Sequence, residues 1–261
     1  MVEDIELNEQ GGNSALNSGI LVAPELFEEM TKAGVLYGRK KTKTHPRMRK
    51  YIFTTRNGVE ILDIAQTWGL LEQAIEFLQG IVRGRGLVLL VGTTPAAKVL
   101  VKALGEKTGM PFVNERWLGG TLTNFKTLST RLQYFLKLRS DREAGRLEKY
   151  TKKERLKFDK ELARMSIIFG GLEKMTELPK TLVIMGATSH ETAVREANRL
   201  GIPVVAVMAN DTDPDLIQHP IPANDRSRTS ITWILERLGQ AIETGKKQVG
   251  TPVKQEIGNS K

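Results

Sequence analysis

The sequence predicts a doubly wound α/β domain, a parallel sheet covered by helices on both faces, interrupted by an inserted antiparallel helical hairpin. Three observations carry this. Short apolar runs such as Leu87–Val91 and Val204–Met208 read as strands buried on both faces. Helical periodicity separates those runs. One long stretch, 125–175, breaks the alternation with two apolar seams.

Taken in order, residues 1–18 hold four acids and no Lys or Arg, and read as a flexible N-terminal arm. Pro24–Ala33 is an amphipathic helix with Gly34 beyond its end. Ile52–Phe53 and Val59–Ile64 flank Arg56-Asn57-Gly58, a hairpin turn signal. Thr67–Val82 is helical through Leu70, Leu71, Ala74, Ile75 and Leu78. Then follow strand Leu87–Val91, helix Pro95–Leu104, short strand Pro111–Val113, strand Leu182–Met185, helix Glu191–Leu200, strand Val204–Met208 and helix Ser230–Ile242. The α/β domain is thus expected over 19–124 and 176–243, with 244–261 a flexible polar tail.

Within the insert, Phe125, Leu128, Leu132 and Phe135 recur at helical spacing, as do Phe158, Leu162, Met165, Phe169 and Leu172. Thr151 and Glu154 match a capping box, in which hydroxyl and carboxylate satisfy free amides at a helix start. Two helices with narrow seams and charged outer faces favour a projecting, coiled-coil-like hairpin, each arm on the order of 25–35 Å long. Two helices lying flat on the sheet are the alternative.

Charge narrows the function. The chain has 261 residues, a net charge of +9 and a pI near 9.7, which favours polyanionic partners. Seven cations (Arg39, Lys40, Lys41, Lys43, Arg47, Arg49, Lys50) crowd into Gly38–Phe53, a stretch with no Asp or Glu. An anionic membrane surface is a poor fit, because no large apolar face adjoins this run. No apolar run reaches the roughly 18 residues of a membrane span, and the acidic N-terminus does not resemble a secretory signal. With no cysteine, disulfides, thiolate catalysis and Cys-containing metal sites are excluded.

Candidate chemistry mostly fails on spacing. LVLLVGTTPAAKVL lacks the later Gly-Lys-Ser/Thr of a phosphate loop and the three glycines of a dinucleotide fingerprint. Ser189-His190 in VIMGATSHETAV reads as a helix start rather than a nucleophile and its base. Asp211, Asp213 and Asp215 read as turn residues, although three carboxylates suit a hard cation. His45, His190 and His219 are scattered, so no zinc site is expected, and no cofactor. NERWLGGTLTNF has two readings. Its Gly pair exposes amides to a phosphate while Arg116, Trp117 and Asn124 contact RNA, or Trp117 is core and the glycines turn a corner.

These residues also carry a resemblance. GVLYG, MRKYIFTTRNGVEILDI, LVLLVGT, VNERWLGGTLTNF, YTKKERL, GGLEKM, ELPKTLVIM, AVREANRLGIPVVAV, DPDLI and PIPANDRS occur in one order over most of 30–235. The chain resembles the bacterial-type small-subunit ribosomal protein S-two family. The resemblance implies a flavodoxin-like doubly wound sheet with a coiled-coil insert at 125–175. It further implies a cytoplasmic, non-catalytic constituent of the small ribosomal subunit that binds rRNA between head and body. Its partners would be rRNA and neighbouring ribosomal proteins, including S-one, which it helps recruit, with no membrane and no homo-oligomer. The RNA contacts are expected at Arg39, Lys40, Lys41, Lys43, Arg47, Arg49, Lys50, Arg56, Arg116, Trp117 and Asn124. The chain departs from the family pattern at Leu36 and Arg39, which stand where it has histidines, and at Thr44-His45-Pro46-Arg47-Met48 and Asp211-Thr212. The lost His and Cys weaken a bound-metal expectation, and Arg39 adds fixed charge.

Overall fold

The computed structural model describes residues 22–249; the N-terminal arm and most of the polar tail lie outside them. Five parallel strands form the main sheet: β4 (Val88–Val91), β5 (Phe112–Val113), β6 (Thr181–Met185), β7 (Val204–Met208) and β8 (His219–Pro222), in the order β5-β4-β6-β7-β8. This is the flavodoxin-like arrangement, whose switch point falls between the first and third strands of the sheet. A second, three-stranded antiparallel sheet has the order β1-β3-β2, from β1 (Tyr37–Lys40), β2 (Ile52–Arg56) and β3 (Val59–Leu62). The β2–β3 turn uses Asn57 at φ 51° and Gly58 at φ 74°, the left-handed pair that a tight hairpin needs.

Alternate strand residues feed two cores. Val88, Leu90, Val183, Met185, Val205 and Val207 face helices α1 (Pro24–Ala33), α2 (Ile64–Arg83), α3 (Lys98–Thr108) and α7 (Arg228–Lys247). Leu89, Val91, Leu182, Ile184, Val204 and Ala206 share the second core with α6 (Glu191–Arg199) and the insert. Every residue of β4, β6 and β7 is buried, as the unbroken apolar runs require.

The insert forms two helices, α4 (Phe125–Glu143) and α5 (Lys152–Phe169), packed on each other. The Thr151–Glu154 capping box is present. The apolar seam joins a cluster that reaches the sheet. Phe135 is fully buried, and Leu128, Leu132, Leu138, Leu162 and Phe169 belong to the same apolar cluster as Leu89, Val91 and Leu182. Arg139 also pairs with Glu173, beyond the end of α5. The narrow seam is therefore continuous with the domain's second core.

Several boundaries move. Helix α2 begins at Ile64, three residues before Thr67, because Asp63 caps it, accepting from the amides of Ala65 and Gln66 at 2.9 and 3.2 Å. Pro95 lies in a turn, and α3 starts at Lys98. Helix α7 runs through Gly245 to Lys247 instead of stopping at Ile242, so residues 244–247 belong to the domain rather than the tail. A Cβ at Gly245 would lie 2.9 Å from the Gln79 carbonyl and from Val82 Cβ, so this glycine permits close packing on α2.

Candidate nucleic-acid interface

The basic segment consists of β1 and two 3-10 turns, Lys41–Lys43 and Pro46–Tyr51, laid over the carboxyl end of β7. Buried Asn210, two residues beyond β7, pins its path. Asn210 Oδ1 accepts from the Arg39 amide, and Nδ2 donates to Thr44 Oγ1 over 2.8 Å. The Asn210 carbonyl accepts from the His45 amide over 2.8 Å. Gly38 is required here, since a Cβ would sit 2.8 Å from Asn210 Oδ1 and 3.0 Å from the Glu60 carbonyl. Beneath the segment, buried Glu60 accepts from Thr55 Oγ1 over 2.7 Å and from Thr44 Oγ1 over 3.3 Å. Met48 and Tyr51 root the far end in the second core. A backbone held this way from below leaves the long side chains outside.

The cations divide into two classes. Arg39 bridges Asp211 at 2.9 Å and Asp225 at 2.8 Å, with its side chain only 13% exposed. Arg47 reaches Asp213 at 2.9 Å and Asp215 at 3.0 Å. By contrast Lys40, Lys41, Lys43, Arg49, Lys50, Arg56 and Arg116 are all exposed, and none has a carboxylate within 4.0 Å among the described residues. Lys50 lies over the Tyr51 ring. Arg39 is thus a structural clamp: it is drawn inward because its two carboxylates need a counter-charge. Burial raises the Asp225 carboxyl above its ordinary value, Arg39 opposes that rise, and the neighbouring Asp211 charge adds to it.

The acid trio is consumed by the same pairing. Asp211 faces Arg39 while Asp213 and Asp215 face Arg47. Among the described residues no group of three or more His, Asp or Glu is arranged to hold a metal ion.

The NERWLGGTLTNF loop also presents its amides inward. Glu196 of α6 accepts from Trp117 Nε1 at 3.0 Å, Gly120 N at 2.8 Å, Leu122 N at 3.0 Å, Thr123 N at 3.2 Å and Thr123 Oγ1 at 3.2 Å. The anion received by this Gly-rich corner is the protein's own carboxylate. Burial pushes Glu196 upward, but the indole and amide donors outweigh it and hold the carboxyl below its usual range. Trp117 is half-buried and its N–H is satisfied internally, which leaves Arg116 and Asn124 as the exposed polar side chains of the expected contact set in this loop.

At the switch point lies the buried side chain of His190. Its Nε2 accepts from the Thr93 amide at 3.0 Å and lies 3.0 Å from Thr93 Oγ1, while Nδ1 donates to the Gly186 carbonyl at 2.7 Å. Burial lowers the imidazole pKa, against smaller upward pulls from the Gly186 carbonyl and Asp225. The neutral tautomer that results ties the two strand-to-helix turns together.

Sequence reasoning did not find Asn210, Glu60 or Glu196. Each sits in an ordinary turn, strand or helix, and only tertiary placement reveals its partners. Among the described residues no helix is long and apolar enough to cross a membrane.

The sequence is similar to those of known proteins. Residues 30–245 match the family described as Ribosomal protein S2. A small ribosomal subunit protein uS2 from Corynebacterium glutamicum is 40% identical over 222 residues, covering 85% of this chain and 84% of that protein. Those of Dictyoglomus thermophilum and Dehalococcoides mccartyi are 38% and 35% identical over 221 and 216 residues. The first comparison covers 85% of this chain and 90% of the relative, the second 83% and 88%. With its doubly wound sheet, the chain belongs to the ribosomal protein S2 family of the small ribosomal subunit, a family of structural ribosomal proteins rather than enzymes.

Proposed function

We propose that the chain binds small-subunit rRNA through the exposed cations of the basic segment, Lys40, Lys41, Lys43, Arg49 and Lys50, extended by Arg56 and Arg116. The observation that supports this most is the absence of any carboxylate partner for these side chains among the described residues, on a backbone already held by Asn210, Met48 and Tyr51. Fixed cations of this kind neutralise phosphates and release counterions, so affinity falls steeply as salt rises. Arg39, Arg47 and Trp117 belong to the support of this surface.

The family resemblance extends the reading: the protein sits in the cytoplasmic ribosome, between head and body of the small subunit, and helps recruit ribosomal protein S-one. Filter binding of the full chain to small-subunit rRNA over a salt series tests the RNA reading. Reconstituting subunits with and without this protein, then measuring S-one co-sedimentation, tests the recruitment. Equal S-one in both preparations overturns it.

A further inference from the structure

We infer that the outer face of the small β1-β3-β2 sheet takes an unpaired nucleotide, with its base stacked on Tyr37 and its phosphates on Lys40 and Arg56. This rests on the RNA-binding reading above and adds a single-stranded element to it.

The register carries the inference. Tyr37 and Thr54 both pair with Ile61, and Lys40 and Arg56 both pair with Val59. Directly opposed residues share a face of the sheet, so these six side chains form two adjacent rows on one surface. The irregularity in β1 makes this possible. Three steps from Tyr37 to Lys40 match two steps from Ile61 to Val59, so both side chains emerge on the same side. The opposite face is closed, with Glu60 and Leu62 buried.

The outer face combines what a base and its backbone need. Tyr37 is 44% exposed, and even a Cβ added at Gly34 would come no closer than 3.6 Å to its ring, so the ring stands free of that turn. Val59 and Ile61 add half-buried apolar area beside it. Lys40 and Arg56 stand one row away, about 7 Å along the strands, and neither has a carboxylate partner among the described residues. Exposed Phe53 lies at the second irregularity, between Ile52 and Thr54. An aromatic platform with a cationic margin is the arrangement that holds unpaired nucleotides, because stacking is indifferent to sequence while cations track the backbone. A duplex keeps its bases stacked on one another and offers such a ring only its edges and phosphates.

The test compares full-length protein binding to an end-labelled single-stranded RNA of mixed sequence and to the perfect duplex of that sequence, by fluorescence anisotropy. Tyr37→Ala should weaken the single-strand complex by roughly 5- to 100-fold, the range of base–aromatic stacking, and leave the duplex affinity and its salt slope unchanged. Tyr37→Phe should retain single-strand affinity. Tyr37→Thr keeps a strand-favouring side chain without the ring and should behave as Tyr37→Ala, which separates stacking from any folding defect of the alanine variant. Unchanged single-strand affinity in Tyr37→Thr, or equal losses on both RNAs, overturns the inference while the RNA-binding reading stands. Failure of the unaltered chain to bind either RNA overturns both.

Discussion

The indole N–H of Trp117 donates to Glu196 over 3.0 Å, and the same carboxylate gathers the amides of Gly120, Leu122 and Thr123. One side chain from α6 therefore shapes the whole Gly-rich corner between β5 and α4. The corner needs an internal anion because its successive amides point to one spot, and Glu196 supplies it from a buried position where water is excluded.

Replacing Glu196 with Ala should cost roughly 2–4 kcal/mol, since several donors are left without their shared acceptor. Chemical denaturation of the two proteins at neutral pH measures it. The folded pKa of Glu196 is depressed, so its contribution is full above the ordinary glutamate value of 4.5 and is lost as pH falls through the folded value. Glu196→Gln should remove that acid-side slope.

Arg39→Ala should be among the more damaging single changes in the basic segment, costing about 3–5 kcal/mol as expected when one partner of a buried ion pair is removed. The cost arises because Asp225 and Asp211 are left facing each other at low exposure. The midpoint of urea unfolding reports the destabilisation. Restoring stability with Arg39→Ala combined with Asp225→Asn would identify the stranded charge as its cause.

His190 is held neutral by burial, so its folded pKa lies below the usual histidine value of 6.5. The fold then binds fewer protons at this site than the unfolded chain does, and the contribution present above about pH 6.5 is lost as pH falls toward the folded pKa. Unfolding free energies measured at pH 7.5 and about 5.5 should differ less in His190→Gln than in the parent. Because the imidazole already bridges Thr93 and Gly186, ATP, GTP or NAD with Mg²⁺ should give no saturable thermal shift. A ligand at 100 times its Kd would stabilise by about 2.7 kcal/mol, which a shift titration detects easily.

Deleting Arg131–Ser166 with a short Gly/Ser linker should sharply reduce the unfolding free energy of the remaining domain. The deleted stretch contains Phe135, Leu138 and Leu162, whose removal strips part of the second core. Calorimetry distinguishes the outcomes: a domain that unfolds as cooperatively as the parent would mean that the insert is autonomous.

Much of the main sheet was legible because β4, β6 and β7 are continuous apolar runs, which only doubly covered strands require. Strand β8 was not, since His219-Pro220-Ile221-Pro222 reads as a breaker; its prolines are tolerated because β8 lies at the sheet edge. Strand β1 hid inside the charge cluster for a similar reason: Lys40 and Arg39 mask a partner that β3 supplies. The last turn of α7 was read as part of the polar tail, and instead Gly245 packs closely against α2. The cluster of cations was visible in the sequence. The sorting of those cations into paired and unpaired was not, because Asp211 and Asp225 lie far along the chain from Arg39.

The most direct test of that sorting is the salt dependence of binding to small-subunit rRNA for two full-length variants. Lys40, Lys41 and Lys43 changed together to Ala should weaken binding and flatten the plot of log affinity against log salt, by roughly 0.7–0.9 for each phosphate no longer neutralised. Arg39→Lys, which keeps the charge at the clamp, should leave that slope unchanged. An unaltered slope in the triple variant, or a flattened slope in Arg39→Lys, would contradict the division of the basic segment into unpaired RNA-facing cations and an internal clamp.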